Sequence, residues 1–568
     1  MTESAEQIET QIETQIETPP TSPAAPDANI FWVPGDFPPR DGVHVDLLID
    51  GRAAMLAMCR AFLAAQTYIL LAGWDIRADL SMVRGSDARM GPDGSAEQIA
   101  FLARLREEGL SDESIMFWSA GQLRVKDVLG LAVRRGVKVG VLLWDSPEMG
   151  VHLTNNAKEQ QAQLSEVGVD CVLDSSSRKI THLLEALHQK CAVVDGRIAF
   201  IGGVDLTLQA NGDYDRWDTH AHPPDSLERG SAREVSMHPW HDAHVRIQGP
   251  AVADVQMNIV QRWEGCAERG KAPNWPLELT NAVSSPQSGG VPAQVARTIP
   301  PDTYDFAPEG IKSIYHAYAR AVNAAQRYIY LESQYFWPEV YRGLDSLLWG
   351  KASEEMAVFI EALGAALNRG VSLALVLPDH PNAGRKYSDA GIERVRDIAP
   401  DATAAGRFQV YTLGTSQQDP NAPGGILYRP VYVHAKVGIV DDLWMTVGSA
   451  NLNNRGFVND AELNVTVVDR RVASQLRVAL WTEHAQATYL DVSALQDVER
   501  GMAALRAQAQ ENAGRVERRE PLRGHLLPYL TVSDAATRGI VISPEHGWLD
   551  SIEGGLGANR EEYRNRYI

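Results

Sequence analysis

"HQKCAVVDGRIAFIGGVD" (188–205) and "HAKVGIVDDLWMTVGSAN" (434–451) are one pattern written twice. Laid over each other without a gap, they share His188/His434, Lys190/Lys436, Val194/Val440, Asp195/Asp441 and Gly202/Gly448, and a leucine follows each. The repetition extends outward: "AFLAAQTYILLAGWD" (61–75) resembles "AVNAAQRYIYLESQY" (321–335), and "AVRRGVKVGVLLWD" (132–145) resembles "ALNRGVSLALVLPD" (366–379). In the last pair an amphipathic helix stops at Gly136 or Gly370 and a Val/Leu strand follows. Three matched blocks in the same order, with spacings that drift as loops would, predict two homologous α/β lobes, each a mixed sheet flanked by helices.

The chain has 568 residues, enough for roughly two to four domains. Residues 1–28, with tandem "QIET" copies running into Pro, Ser and Ala, read as a disordered tail. The first lobe is expected over 29–280, a Pro/Gly/Ser-rich linker over 281–302, the second lobe over 303–495 and a C-terminal extension over 496–568. No apolar run approaches the ~20 residues that span a bilayer, and the N-terminus lacks the features of a Sec-type signal peptide. The expectation is a cytoplasmic protein, or one exported by a non-Sec route, with peripheral membrane contact only. A formal net charge of −20 opposes binding to a polyphosphate, so no nucleic-acid partner is expected. Cys59, Cys171, Cys191 and Cys266 have neither zinc-site nor disulfide spacing, and Cys191 reads as a small core residue.

Two residues apart on a strand, His434 and Lys436 share one face, as do His188 and Lys190. Asp441 and Asp195 open "DD" and "DG" turns, which makes them structural in this reading. A two-residue turn at Asp441–Asp442 would set Ser449 opposite His434, and likewise Gly203 opposite His188, with Asn451 and Asp205 two residues further on. Packing alone would preserve the apolar residues at least as well as the polar ones. Retention of His, Lys and Asp in halves that have otherwise diverged therefore points to chemistry.

The pattern HxKxxxxDxxxxxxGSxN resembles the signature of the phospholipase D superfamily, present twice as in its single-chain two-lobed members. The first copy departs from it with Gly203 and Asp205 in place of Ser and Asn, a "GGxD" variant similar to that of the phospholipid-hydrolysing branch. "YIYLESQYFW" (328–337), "HPWHDAHVRIQGPAVAD" (238–254) and "GWDIRADL" (73–80) resemble the same branch, and the resemblance covers about 30 to 490.

That resemblance implies one pseudo-twofold unit in which both His-Lys faces share a cleft. One imidazole attacks phosphorus to form a phosphohistidine, and the other protonates the departing alcohol and then activates water. The implied catalytic set is His188, Lys190, Asp195, His434, Lys436 and Asp441, with Glu462 orienting an imidazole and Asp218 as its first-half counterpart, Asp205 and Asp215 being rivals. Ser449, Asn451, Gly203 and Asp205 form the expected phosphate-binding group, with Gln334 and Trp74 at equivalent strand ends for substrate. Loops 211–240 and 415–430 are candidates for acyl-chain contacts through residues such as Trp217 and Trp240. The branch favours His188 as nucleophile and His434 as acid, with Ser449 and Glu462 expected beside His434. No metal and no cofactor is expected. The implied activity is hydrolysis of phosphatidylcholine- or phosphatidylethanolamine-type lipids to phosphatidic acid at a membrane surface, by a monomer able to transfer to alcohols. Alternatives are a cardiolipin-synthase-like phosphatidyltransferase, a nuclease or other phosphodiesterase, and a catalytically silent lipid-binding protein.

Overall fold

The computed structural model describes residues 28–549 except 84–86, 88–93, 121–122, 146–155, 176–184, 208–239, 269–283, 340–352, 380–383, 421, 487–488, 490, 541 and 543–546. The first lobe contains β1 (Arg40–Ile49), β2 (Tyr68–Gly73), β3 (Lys138–Trp144), β4 (Asp170–Asp174), β5 (Cys191–Val194), β6 (Ile198–Gly202), β7 (Trp240–His241) and β8 (Ala243–Gln248). The second contains β9 (Val291–Ile299), β10 (Ile311–Lys312), β11 (Tyr328–Glu332), β12 (Ser372–Val376), β13 (Phe408–Gln418), β14 (Ile426–Val433), β15 (Val437–Val440), β16 (Trp444–Gly448), β17 (Glu462–Val468) and β18 (Leu526–Pro528).

The pairings run β4-β3-β2-β5-β6-β8-β1 in one lobe and β13-β12-β11-β15-β16-β17-β9 in the other. In both, the first three strands are parallel and the rest antiparallel, so the duplication read from the motifs is carried strand for strand. Arg40 and Val43 of β1 also pair with Ala293 and Val291 of β9, joining the two sheets. Alternation along β2 shows the layering: Leu70 and Ala72 enter a core shared with Tyr330, Val437, Val447 and Val465 of the other lobe. Ile69 and Leu71 face the first lobe's own helices, α1 (Asp50–Ala64) and α2 (Val125–Arg134). On the opposite outer face, α3 (Ser313–Ala324) and α4 (Glu354–Asn368) cover the second sheet. The result is helices, sheet, sheet, helices, with the strands buried on both sides as their near-continuous apolar composition requires.

Three boundaries differ from expectation. The supposed linker 281–302 contains β9, whose residues alternate between faces and which forms the second lobe's first strand; its Pro/Gly/Ser signal belongs to the residues just before it. The supposed C-terminal extension is part of the second lobe: after the helix α5 (Val498–Glu517), β18 pairs antiparallel with β13, and Trp548 and Leu549 enter a cluster with Tyr428 and Leu527. The 415–430 segment is mostly the β13–β14 hairpin, not an open loop. Among the described residues no helix is long and apolar enough to cross a membrane. All four cysteines are buried free thiols, and burial pushes Cys191 up to about 12.

Candidate active site

Each motif ends in a hairpin whose turn has three residues, not two. Val194 pairs with Ile198 and Val440 with Trp444, and the left-handed backbone of Asp195 (φ 53) and Asp441 (φ 56) opens each turn. The register therefore slips by one from the two-residue expectation, and Ser449 and Gly203 do not stand opposite the histidines. The ladders close at Cys191 and Val437, leaving the His-x-Lys tripeptides as connectors just before β5 and β15.

Asp195 and Asp441 lie at the far end of these strands from the histidines. Asp195 accepts backbone N–H bonds from Gln66, Thr67 and Tyr68 at 2.7–3.0 Å, and Asp441 accepts from Gln326, Arg327 and Tyr328 at 2.7–2.9 Å. They tie the turn to the start of the neighbouring antiparallel strand, β2 or β11, so their place in the catalytic set is corrected to a structural one.

The histidines are held across the lobes. Nδ1 of His188 bonds Oε1 of Glu462 at 2.9 Å, and Nδ1 of His434 bonds Oδ2 of Asp242 at 2.7 Å. The backbone repeats the exchange: His188 N–H donates to Ala461 O and His434 N–H to His241 O, beside the parallel bridges Leu187–Ala461 and Val433–His241. With the carboxylates accepting, each Nδ1 carries a proton. Glu462 thus serves His188, and the expectation that it crowds His434 is corrected. Asp242 is the counterpart of Glu462. Asp218, Asp215 and Trp217 lie outside the described residues, and Asp205 instead pairs with Lys190, Oδ2 to Nζ at 3.3 Å.

The lysines are equivalent as well. Lys190 Nζ donates to His188 O at 2.7 Å, and Lys436 Nζ donates to His434 O. Burial drives Lys436 down to about 7, against the attraction of Asp242 and with the repulsion of Lys190, so the two ammonium groups act on each other within one site. Burial likewise lifts Asp242 to about 7, although Lys436 opposes it. Burial and Asp460 push Glu462 well above the usual carboxylate range, against Lys190 and the hydrogen bond from Ser449. His244, opposite Gly202, is pressed down to about 3 by burial and then by Lys190, and so stays neutral.

The expected phosphate group separates. Ser449 Oγ donates to Glu462 Oε2, and Asn451 Nδ2 reaches Gln334 Oε1 at 3.4 Å. Asp205 is turned to the Lys190 ammonium. Gly203 spends its N–H on Ala243 O, and its bare Cα makes room for Asp242. Gln334 is buried beside the site, its Nε2 donating to the hydroxyls of Tyr432 and Tyr335. Trp74 stacks on Trp144 at 5.9 Å, in a cluster with Leu187 next to His188. Trp240 packs on Tyr432 at 4.5 Å and on the His434 ring at 4.8 Å.

Sequence reasoning missed Asp242 and the buried group His241, Glu332 and His484. Register would have found Asp242: Gly202 pairs with His244 as Gly448 pairs with Asn464, which places Asp242 level with Glu462. The ligand atoms of His241, Glu332 and His484 lie within 4.8 Å of one another and could in principle hold a metal. They are bonded to each other instead: Glu332 meets His241 Nε2 and His484 Nε2, each at 2.9 Å.

Residues 61–294 match the family described as "Phospholipase D", and residues 318–482 the family described as "Cardiolipin synthase, PLD-like domain". The chain is similar to Phospholipase D A of Dictyostelium discoideum, 23% identical over 516 residues that cover 79% of this chain and 36% of that protein. It is 27% identical over 313 residues to Cardiolipin synthase A of Pseudomonas putida, covering 55% of this chain and 50% of that one. With Phospholipase D alpha 3 of Arabidopsis thaliana the identity is 24% over 601 residues, 82% of this chain and 67% of the relative. The chain thus spans from about a third to two thirds of the length of these curated relatives. Among solved structures, phosphatidylserine synthase from Haemophilus influenzae Rd KW20 aligns with a TM-score of 0.46 at 12% identity, covering 83% of this chain and 94% of that one.

Proposed function

We propose, from the premise that the chain belongs to the phospholipase D superfamily, that it is a phospholipase D cleaving glycerophospholipids to phosphatidic acid and a free head-group alcohol. The observation that carries the reading is the crossed pairing, a half-buried His188 with Glu462 and a buried His434 with Asp242, which makes two imidazole–carboxylate pairs out of two lobes.

In this mechanism His188 Nε2 attacks phosphorus and the P–O bond to the head group breaks. The proton on His434 Nε2 goes to the leaving oxygen. His434, now neutral, takes a proton from water; the oxygen attacks phosphorus, the P–N bond breaks, and His188 is released with phosphatidic acid. Lys190, Lys436 and Asn451 donate to the non-bridging oxygens, whose charge rises in the five-coordinate transition state. The family resemblance assigns these roles to the two histidines. The Trp240 face against His434 supports the assignment, because an aromatic face favours an imidazolium, the form in which an acid must start.

The test is a panel of phosphatidylcholine, phosphatidylethanolamine and phosphatidylglycerol vesicles with and without ethanol. Interception of the phosphohistidine should give phosphatidylethanol alongside phosphatidic acid. Head-group release with no alcohol product at any ethanol concentration would sink the covalent mechanism. Cardiolipin formed from phosphatidylglycerol in preference to hydrolysis would favour the phosphatidyltransferase reading, to which the similarity to Cardiolipin synthase A gives weight.

A further inference from the structure

His241 occupies on the first lobe the place that Ala461 occupies on the second. Each precedes the carboxylate that holds the other lobe's histidine, and each gives its carbonyl to that histidine's N–H, at 2.7 Å for His241 and 3.0 Å for Ala461. The two positions differ in the side chain. The His241 ring is fully buried between two acids, Nδ1 on Asp50 Oδ1 and Nε2 on Glu332 Oε2, both at 2.9 Å. Asp50 opens α1 of the first lobe with a left-handed φ of 66, and its Oδ1 also accepts the N–H of Asp242 at 3.0 Å. Glu332 ends β11 of the second lobe, where its other oxygen accepts from Tyr330 and meets His484. Burial disfavours charge on the His241 ring, but Glu332 and Asp50 outweigh it and hold its pKa well above the ordinary value. His484, packed edge-on at 4.9 Å, is pulled down by burial and stays neutral. The His241 ring therefore bridges Asp50 of the first lobe and Glu332 of the second across the seam, with Glu483 also within 4.8 Å of Asp50 and His241, and the mechanism uses none of them.

We propose that His241 is a positioning residue: its bridge between Asp50 and Glu332 locks the 241–242 peptide across the lobe junction and thereby aims His434 at the leaving group. The role rests on the reading of His434 as the acid. It also accounts for the two stretches "HPWHDAH" and "YLESQYF" that the duplicated motif leaves over, since their His and Glu meet here. Among the described residues, the place equivalent to His241 beside Glu462 is Ala461, which has no side chain to form such a bridge. A general acid must meet a leaving oxygen along a hydrogen-bond line, and a misplacement of about 1 Å is enough to cost ~100-fold in rate.

The variants are His241→Ala and Glu332→Gln, in the full chain. Alanine is what the other lobe carries at the equivalent place, so the local backbone accepts it. Glutamine keeps the shape of Glu332 and removes its charge. With phosphatidylcholine, kcat should fall about tenfold to a hundredfold in both while KM stays put. The phosphoenzyme burst with a p-nitrophenyl phosphodiester, whose leaving group needs no proton, should persist. The downfield Nδ1–H proton resonance of His434, identified by its loss in His434→Ala, should broaden or vanish in both variants. Wild-type kcat with an intact resonance in both variants would overturn the proposal, as would parallel loss of turnover and burst. If the wild-type protein cleaves no phosphodiester, the functional reading fails, and the resonance still decides whether His241 positions His434.

Discussion

Gly203 is the residue at which one added carbon should separate folding from catalysis. A Cβ there would stand 2.0 Å from Oδ1 of Asp242 and 2.9 Å from its Cγ, so the carboxylate must withdraw by about 1 Å merely to relieve the overlap. That carboxylate holds His434 Nδ1 at 2.7 Å, and the ring must follow it or lose the bond. At ~100-fold per ångström of misplacement, Gly203→Ala should lose about 2.7 kcal/mol of transition-state stabilisation, read as kcat on phosphatidylcholine. Overpacking a filled site should cost about 1–3 kcal/mol of stability as well, so the melting temperature is measured beside the rate. The second lobe supplies the control, because Ser449 there coexists with the longer Glu462 and donates to it. Gly203→Ser should fail like the alanine variant, and the double variant Gly203→Ser with Asp242→Glu should recover part of the rate. A Gly203→Ala enzyme within about threefold of wild-type kcat would refute the argument that this glycine exists to seat Asp242.

Other outcomes can be checked directly. Asp242 and Lys436 are both displaced to about 7, so protonating the one below neutrality and deprotonating the other above it should give a bell-shaped kcat profile, with apparent values belonging to the coupled set; Lys436→Arg should extend the alkaline limb, and a monotonic rise from pH 5 to 10 would contradict this. Because the folded pKa of Asp242 lies above its unfolded value of about 3.9, the folded state binds the extra proton between about pH 4 and 7 and stability falls as pH rises through that window; Asp242→Asn should therefore melt higher relative to wild type at pH 8 than at pH 5, although it is a slow enzyme. EDTA should leave turnover unchanged, since the donors of His241, Glu332 and His484 are bonded to one another; loss restored by a divalent cation would show otherwise. With a p-nitrophenyl phosphodiester, His434→Ala should retain the phosphoenzyme burst and His188→Ala should abolish it, and the reverse pattern would exchange the two roles.

Much of the fold was legible because helix-to-strand transitions at Gly136 and Gly370 survive in both halves, each glycine adopting the positive φ that ends a helix. The histidines and lysines were legible for the same reason. Their carboxylates were harder to place. In the second half, β16 and β17 are separated by residues 449–461, and Glu462 follows close on the motif. In the first half, residues 203–239 stand between β6 and β7, and that insertion separates Asp242 from the strand it aligns with. The sequence therefore points to an acid inside the insertion, at Asp218, and not beyond it. The hairpin register failed for a different cause: "DG" and "DD" suit a two-residue turn locally, but both Asp side chains are committed to three backbone N–H groups of the next strand. That tertiary tie holds a three-residue turn.

The crossed pairing also explains why the chain keeps both copies of a motif while so much around them has diverged. Neither lobe holds a complete histidine: the first owns His188 and Asp242, the second His434 and Glu462, and each carboxylate serves the other's ring. A substitution of one lobe's carboxylate therefore removes the Nδ1 partner of the other lobe's histidine. The surroundings are free to differ, and they do: Ser449 supports Glu462 where Gly203 makes way for Asp242, and Ala461 stands where His241 bridges the seam. These differences, superimposed on a shared backbone plan, give the two imidazoles different surroundings, as the proposed division into a nucleophile and an acid requires.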